Sequence, residues 1–161
     1  MTIQKIVVKN YKLLKDIVIP LNPVINIFVG DNDAGKSTIL EALSILTTGK
    51  LNGFAFERQL RANLFNKETR EQYIANVTAG LKPDPPQIVV EAYFDGDSIY
   101  KGTENELSED TVGIRVVVDM SEHNAETYKR MLASNEVRDI PIELYSVNLS
   151  SHVNVVLHRS A

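Results

Sequence analysis

The sequence predicts an α/β fold that combines a mixed sheet with an added antiparallel β subdomain. Residues 24–29 form a short apolar run, which is followed by a glycine-rich loop and by apolar residues at helical spacing. This is the order of a buried strand, a turn and a helix, from which α/β folds are built. Strand-like segments also precede and follow this unit, without the regular alternation of strand and helix of a doubly wound sheet. They indicate an added antiparallel part.

Three strands are expected before the first helix. Residues 3–9 and 16–20 are rich in β-branched side chains, and 11–15 joins them. The run 24–29 is mostly apolar and β-branched, which is typical of a strand that is buried on both faces. We expect this third strand to end at Gly30.

Helices are expected in the middle of the chain. Apolar residues recur at helical spacing over 38–47, and Gly49 follows as a stop signal. Residues 57–65 and 67–79 are predicted to form further helix. The proline-rich stretch 82–86 then ends the helical region as an exposed linker.

The last part of the chain returns to strands. Segments rich in β-branched and aromatic residues predict strands at 87–94, 112–120, 140–147 and 153–157. The acidic stretch 102–111 is predicted to be a loop. Ser121 is a candidate N-cap for a helix over 122–132.

Composition limits the classes to which the chain can belong. With 161 residues, of which 43% are hydrophobic, the chain is large enough for one domain with a real core. The absence of cysteine excludes disulfides and cysteine-based metal or redox sites. No run approaches the roughly 20 apolar residues of a membrane span, so we expect a cytoplasmic location and no membrane partner. A net charge of -4 gives no overall attraction to nucleic acid.

The octapeptide at 30–37, GDNDAGKS, fits the phosphate-binding pattern G-x-x-x-x-G-K-[ST], or Walker A motif. Its two glycines let the backbone approach phosphates closely, so that successive N–H groups can bind an anion. Lys36 supplies positive charge to the β- and γ-phosphates and is the expected catalytic residue, while Ser37 offers its hydroxyl to Mg²⁺. The pattern therefore predicts binding of ATP and Mg²⁺.

Most of this loop is expected to contact the nucleotide through backbone or side chain. The expected contact residues are Gly30, Asn32, Asp33, Ala34, Gly35, Lys36, Ser37 and Thr38. The Asn32 amide is suited to donate to the terminal phosphate or to brace the loop. For Asp31 and Asp33 we favour a role as turn formers with solvated carboxylates over one in catalysis or metal binding.

Two segments together resemble a known family. They are IVVKNYK at 6–12 and GDNDAGKSTILEAL at 30–43. This pair resembles the opening of ABC-type ATPases of the RecF, SMC and OLD (overcoming lysogenization defect) group, whose members act in DNA repair, chromosome organisation and phage defence. The resemblance is specific over 3–46. Because 88–94 and 140–145 also look OLD-like, the chain is most similar to that family.

The resemblance implies a P-loop NTPase fold of the ABC-ATPase type and assigns roles by position. Asn32 and residues 35–38 would hold the phosphates, Ser37 would bind Mg²⁺, and Lys12 would lie near the nucleotide. A solvated hairpin lysine is an equally good interpretation of Lys12. Tyr11 is suited to cover an adenine ring, but we favour a place in the core. Asp33 departs from the glycine that is commonest at its position in the family.

Several motifs of this family are missing from the chain. There is no apolar strand ending in Asp-Glu and no Ser-Gly-Gly signature, and His123, His152 and His158 are most simply surface residues. The resemblance therefore implies that 1–161 is the N-terminal lobe of a longer ATPase. Three parts are expected. Residues 1–49 hold the first strands, the P-loop and the first helix, residues 50–86 form a helical insertion with a linker, and residues 87–161 are rich in strands.

The missing motifs also set expectations for activity and partners. We expect the chain alone to bind ATP weakly and to turn it over negligibly. Hydrolysis would need a homodimer or the missing C-terminal lobe, and DNA would be contacted only through the full-length protein.

Two other functions stay open. A small P-loop kinase would need basic lid residues, for which Arg58, Arg61 and Arg70 are candidates, although we favour a solvated face for them. A non-catalytic module that associates with itself or with a partner through exposed sheet edges is the second alternative.

Overall fold

A computed structural model describes residues 2–31, 35–99 and 101–157. The strands are β1 (Ile3–Tyr11), β2 (Leu14–Pro20), β3 (Lys50–Leu51), β4 (Phe54–Ala55), β5 (Ile88–Phe94), β6 (Lys101–Gly102), β7 (Thr111–Met120) and β8 (Tyr145–Ser151). The helices are α1 (Lys36–Thr48), α2 (Lys67–Thr78) and α3 (Ala125–Ala133). The α/β class predicted from the sequence is confirmed. No helix in the described ranges is long and apolar enough to cross a membrane.

The described strands form a six-stranded sheet and a small hairpin of β3 and β4, and all neighbouring strands are antiparallel. The order in the large sheet is β2, β1, β5, β7, with β6 and β8 both pairing with the far side of β7. One row of side chains crosses this sheet in register: Ile17, Val8, Val90, Val116 and Leu149. These branched side chains pack well on a pleated surface, which explains why these segments form strands.

Helix α1 covers one face of the sheet. Its buried residues include Ile39, Ala42, Ile45 and Leu46, whose spacing places them on one side of the helix. The helix ends at Gly49, which has a left-handed φ of 69° and donates its N–H to the carbonyl of Ile45. This is the stop that the sequence predicts, because glycine adopts such a φ without strain.

The predicted strand over 24–29 is wrong. This segment has no regular secondary structure, and its side chains Val24 and Val29 are 83% and 89% exposed. A strand buried on both faces requires hydrogen-bonding neighbours and covering layers. Among the described residues no strand pairs with this segment, and of its apolar side chains only Phe28 packs partly against the core.

The predicted helix over 57–65 is also wrong, because the region contains two short 3-10 helices, Phe56–Gln59 and Ala62–Leu64. Tertiary hydrogen bonds determine its path, since the carbonyl of Leu64 accepts from the N–H of Lys12 at 2.8 Å. The local preference for helix is overridden by these contacts.

Three expectations for the second half need correction. The strand predicted over 140–147 begins only at Tyr145, since a 3-10 helix, Ile142–Leu144, follows Pro141. Residues 153–157 contribute a single bridge, between Ser150 and Val156. Ser121 is the N-cap of a 3-10 helix, Glu122–Asn124, which precedes α3, but its side chain makes no capping hydrogen bond. The strands β5 and β7 and the helix α2 lie where the sequence predicts them.

Candidate phosphate site and its surroundings

The second half of the glycine-rich loop forms the start of α1. Gly35 is the N-cap of α1 and has a φ of 83°, in the left-handed region. A Cβ atom at this position would lie 3.3 Å from Cδ2 of Leu14, so a side chain would be both strained and crowded. Glycine is therefore required here. The predicted contact residues Asn32, Asp33 and Ala34 lie outside the described residues.

The first turn of α1 is suited to an anion. The first bond of the helix runs from the N–H of Ile39 to the carbonyl of Gly35 at 3.0 Å. The N–H groups of residues 36–38 therefore have no acceptor within the helix, and the helix dipole adds partial positive charge at this end. No acidic residue lies in the first turn. Ser37 is exposed, so its hydroxyl is accessible to a metal ion, whereas Thr38 is buried.

The side chain of Lys36 contacts the glycine-rich loop that precedes it. Its ammonium donates to the carbonyl of Gly30 and, at 2.5 Å, to the carbonyl of Asp31. A phosphate oxygen is a stronger acceptor for an ammonium than a backbone carbonyl, because the bond is then charge-assisted on both sides. The ammonium is thus within the loop and is able to exchange these carbonyls for phosphate. Asp31 is exposed, as predicted.

The turn between β1 and β2 packs against the same loop. The Cβ of Leu13 would be 3.8 Å from a Cβ at Gly35, on the same side as Leu14. Lys12 has a φ of 48° in this turn, and its Nζ lies 2.6 Å from Oε2 of Glu41 on α1. Lys12 is therefore held against α1 through Glu41 and is not a freely solvated hairpin residue.

Tyr11 belongs to the core, as predicted. Its side chain is fully buried, and its ring meets the ring of Phe56 edge-on at a centroid distance of 6.4 Å. The Tyr11 hydroxyl donates to Oε2 of Glu41 at 3.1 Å. Burial, and then the Glu41 carboxylate, raises the pKa of Tyr11 far above its ordinary value, so the hydroxyl stays a donor.

Glu41, which contacts both Tyr11 and Lys12, is a residue for which the sequence predicted no role. It lies within the ILEAL segment of α1, where glutamate is ordinarily a solvated helix residue. The only signal in the sequence was its presence beside the glycine-rich loop in the segment that resembles the ATPase family. Its contacts with Tyr11 and Lys12 join residues about 30 positions apart, which local spacing does not reveal.

Comparison with known proteins identifies the family of this site. Residues 1–144 match the AAA ATPase domain family. The chain belongs to this family. The match includes the strands before the loop, the loop itself and every strand of the large sheet except β8.

Curated relatives of the AAA ATPase domain include two proteins described as DNA replication and repair protein RecF. The protein from Colwellia psychrerythraea is 40% identical over 50 residues, which is 31% of this chain and 13% of the relative. The protein from Herpetosiphon aurantiacus is 29% identical over 103 residues, which is 60% of this chain and 27% of the relative. The chain thus spans about a quarter or less of the length of these relatives.

A solved structure from work on ATP-driven dimerization and DNA-stimulated activation of SMC ATPases is also similar. It is 28% identical in sequence and superposes with a TM-score of 0.46, covering 74% of this chain and 64% of the other. The two RecF relatives agree with the RecF part of the resemblance found in the sequence.

The arginines considered as lid residues of a kinase do not form one group in the AAA ATPase domain. Arg70 donates from Nε to Oδ1 of Asp139 at 2.8 Å, in a paired contact that holds α2 against the segment before β8. Arg58 and Arg61 are exposed, as expected for solvated residues. Arg70 is therefore a structural residue and is not available to a phosphate.

A buried acidic residue lies on the sheet face opposite α1. Glu91 on β5 is fully buried and accepts hydrogen bonds from the hydroxyl of Tyr93 at 2.7 Å and from the N–H of Glu106 at 3.1 Å. Arg115 on β7 places its Nε 3.3 Å from Oε1 of Glu91. Burial raises the pKa of Glu91, and these donors oppose that rise. The partners explain how this carboxylate is tolerated inside the protein.

His152 is a second buried group on this face, and the expectation that it lies on the surface is wrong. Its side chain is fully buried, its ring meets that of Tyr93 at 4.7 Å between centroids, and it lies directly over Gly113 of β7. Its Nε2 has no hydrogen-bond partner among the described residues. Burial, and then Arg115, lowers the pKa of His152 below its ordinary value. His123 is exposed as predicted, and His158 lies outside the described residues.

We expect His152 to make the domain less stable in mild acid. Because its pKa is lowered by folding, the unfolded chain binds a proton that the folded chain does not, so the free energy of unfolding falls as pH drops below about 6.5. For one proton the slope is at most about 1.4 kcal/mol per pH unit. Urea unfolding between pH 7.5 and pH 5 measures this slope.

The His152→Gln variant provides the control, since it removes the titrating group and keeps a polar side chain. Its free energy of unfolding should change less over the same pH range. Glu91 acts in the opposite direction in both proteins, because its raised pKa favours the folded state as pH falls. Equal slopes in the two proteins would contradict the expectation for His152.

Proposed function

We propose that this AAA ATPase domain binds ATP together with Mg²⁺ through residues 30–38. The observation that carries the proposal is the N-terminus of α1, where Gly35 is in the left-handed conformation and the ammonium of Lys36 lies on the carbonyls of Gly30 and Asp31. Free N–H groups, a helix dipole and a mobile lysine in one loop are the features that bind a polyphosphate.

Each residue has a distinct part in this proposal. The N–H groups of residues 36–38 bind phosphate oxygens, and Lys36 neutralises charge on the β- and γ-phosphates. Mg²⁺, when bound, supplies further neutralisation of the phosphates, and the exposed hydroxyl of Ser37 is suited to hold it. No group of three or more acidic or histidine side chains within the described ranges could hold a metal ion. Phosphate oxygens and water would therefore provide most of the ligands.

We also propose that the chain is the N-terminal lobe of a RecF-, SMC- or OLD-like ATPase, with parts at 1–49, 50–86 and 87–161. Two observations support this. The RecF relatives are much longer than the segment that matches, and the apolar segment 24–29 has no strand beside it among the described residues. A second lobe, or a second copy, would provide the missing general base and the second set of donors for hydrolysis. The chain alone would then bind ATP weakly and show negligible turnover.

The biological setting follows only from resemblance. The two RecF relatives are proteins of DNA replication and repair, which supports a role in DNA maintenance for the full-length protein. The similarity of 88–94 and 140–145 to the OLD family supports phage defence instead. In either setting DNA would be contacted by the complete protein, since the net charge of this chain is -4.

A self-associating module is the second candidate function, and the exposed segment 24–29 favours it. Four of its side chains, Val24, Ile25, Ile27 and Val29, are each at least 67% exposed. An exposed apolar segment that pairs with no strand of its own chain is able to associate with another chain. The kinase alternative loses support, because Arg70 is paired with Asp139.

Thermal unfolding with nucleotide tests the proposed function directly. A ligand present at tenfold above its Kd stabilises the folded state by about 1.4 kcal/mol, which raises Tm by roughly 3–6 °C for a domain of this size. We expect such a rise with ATP and Mg²⁺ and a smaller one with ATP and a chelator. Replacing Ser37 with alanine should remove the difference between these two conditions.

Light scattering without nucleotide distinguishes the two candidates. An ATP-binding lobe should show the rise in Tm whatever its oligomeric state. A module whose function is association alone should show a concentration-dependent increase in mass and no response to ATP. Absence of any response to ATP and Mg²⁺ at millimolar concentration would exclude the proposed function for this chain.

A further inference from the structure

We infer that residues 105–110 form a strap that opens and closes over the sheet as one unit while the sheet stays folded, and that Glu91 is the latch that holds it closed. The strap belongs to the hairpin of β6 and β7 and covers Glu91 on the sheet face opposite α1. Its base, its internal bonds, its few apolar contacts and its attachment to Glu91 support this inference.

The base of the strap is held by the sheet itself. Gly102 of β6 pairs with Thr111 of β7, and the N–H of Glu104 donates to the carbonyl of His152 at 2.9 Å. The two ends of the strap therefore stay next to each other when its middle moves. Hairpin loops usually contain about 2–5 residues, so this loop is long enough to fold back over the strands. Its tip is able to leave the sheet face without separating β6 from β7.

Hydrogen bonds within the strap make it a unit. Nδ2 of Asn105 donates to the carbonyl of Glu109 at 2.8 Å, and Oδ1 of Asn105 accepts from the N–H of Glu109 at 3.1 Å. The N–H of Ser108 donates to the carbonyl of Asn105, also at 3.1 Å. These bonds join residues of the strap to one another, so they persist when the strap leaves the sheet.

The strap buries little apolar surface of its own. Its one buried side chain, Asn105, is polar, and its one large apolar side chain, Leu107, is half-buried. The φ of Ser108 is 53°, in the left-handed region, which is costly for a residue with a side chain. Segments with few buried apolar contacts open locally at a lower free energy than the rest of a protein. Polar contacts therefore have to hold this strap closed.

The Glu91 carboxylate is where the strap meets the sheet. Its Oε2 accepts from the N–H of Glu106 at 3.1 Å and from the hydroxyl of Tyr93 at 2.7 Å. The Tyr93 hydroxyl in turn accepts from the N–H of Leu107 at 3.4 Å. Two neighbouring N–H groups of the strap thus depend on one fully buried carboxylate, directly or through one hydroxyl. Hydrogen bonds to an ionised acceptor are roughly twice as strong as neutral ones, so Glu91 is the firmest attachment of the strap.

Ion pairs assist this latch at the surface. The Nζ of Lys5 lies 2.6 Å from Oε1 of Glu109, and the Nζ of Lys9 lies 2.6 Å from Oε2 of Glu106. All four side chains are partly exposed, between 23% and 46%, so water and salt weaken both pairs. Opening would separate the two lysines of β1 from these carboxylates. The closed strap therefore masks two positive charges of the sheet.

Amide hydrogen exchange followed by NMR measures the opening residue by residue. In the wild type we expect the amides of Glu106 and Leu107 to exchange about tenfold faster, or more, than that of Val90, which lies in the centre of the sheet. Their exchange should not depend on urea below the unfolding transition, because a local opening exposes little surface. The exchange of Val90 should accelerate with urea, since it requires the sheet to unfold.

The Glu91→Gln variant tests the latch. It replaces a charged acceptor with a neutral one of nearly the same shape, which should accelerate exchange at Glu106 and Leu107 about tenfold. Glu126→Gln is the matched control, since it removes one negative charge from an exposed ion pair with Lys129 on α3. It should change exchange in the strap less than about twofold.

Two outcomes would overturn the inference. If the strap amides exchange at the rate of Val90 and with its urea dependence, the strap opens only when the whole domain unfolds. If Glu91→Gln accelerates their exchange no more than Glu126→Gln does, other contacts hold the strap. Should Glu91→Gln not fold, Tyr93→Phe carries the same test, because it removes the hydroxyl between Leu107 and Glu91 and keeps the ring. Exchange at Leu107 should then rise more than that of Val90.

Discussion

Replacing Lys36 with alanine should lower the affinity for ATP about a hundredfold. The Lys36 ammonium already lies on the carbonyls of Gly30 and Asp31, at the place where the phosphates would enter. When ATP binds, the ammonium would exchange these neutral carbonyl acceptors for charged phosphate oxygens. Loss of a charge-assisted hydrogen bond costs about 1.5–3 kcal/mol, and the higher value corresponds to roughly a hundredfold in Kd. Calorimetric titration of both proteins with ATP and Mg²⁺ measures the effect.

Lys50 supplies the control for this substitution. It is exposed beyond the other end of α1, so Lys50→Ala removes the same charge and the same side chain far from the loop. Its ATP affinity should stay within about twofold of the wild type, since exposed charges at that distance are screened. Equal affinities of Lys36→Ala and the wild type would show that the motif does not bind nucleotide in this chain.

The site was predictable from the sequence where its requirements are local. Gly35 begins α1 and Gly49 ends it because each adopts a left-handed φ, and sequence patterns record such requirements directly. The strands β1, β5 and β7 were predictable for a related reason, since dense β-branched residues favour strands in any context.

The errors arose where the structure depends on residues distant in sequence. The apolar run 24–29 has the composition of a buried strand, yet a strand also needs neighbours, and the described residues provide none. Tyr11 and Lys12 meet Glu41 only because the hairpin packs against α1. His152 is polar, which favours a surface position, but it is buried over a glycine of β7. Tertiary packing determined each of these positions.

Substitution of Gly113, the glycine of β7 beneath the His152 ring, should have the largest effect on stability. Replacing Gly113 with alanine should destabilise the domain by about 2–4 kcal/mol. An ideal Cβ at Gly113 would overlap the imidazole ring of His152. The ring has no free space into which it could move, because it is fully buried between β7, the Tyr93 ring and the loop that carries Asn105. Urea unfolding of the two proteins at pH 7.5 gives the difference.

A double-mutant cycle shows whether the overlap causes this loss. His152→Ala removes the ring and should itself be destabilising, since it leaves a cavity where a fully buried side chain was. In that background Gly113→Ala should cost less than about 1 kcal/mol, because the new methyl group enters the emptied space. An equal cost of Gly113→Ala in both backgrounds would mean that the backbone of β7, and not the His152 ring, requires glycine. The expected coupling would make His152 and Gly113 a single packing unit, in which the missing side chain at Gly113 leaves room for the buried ring.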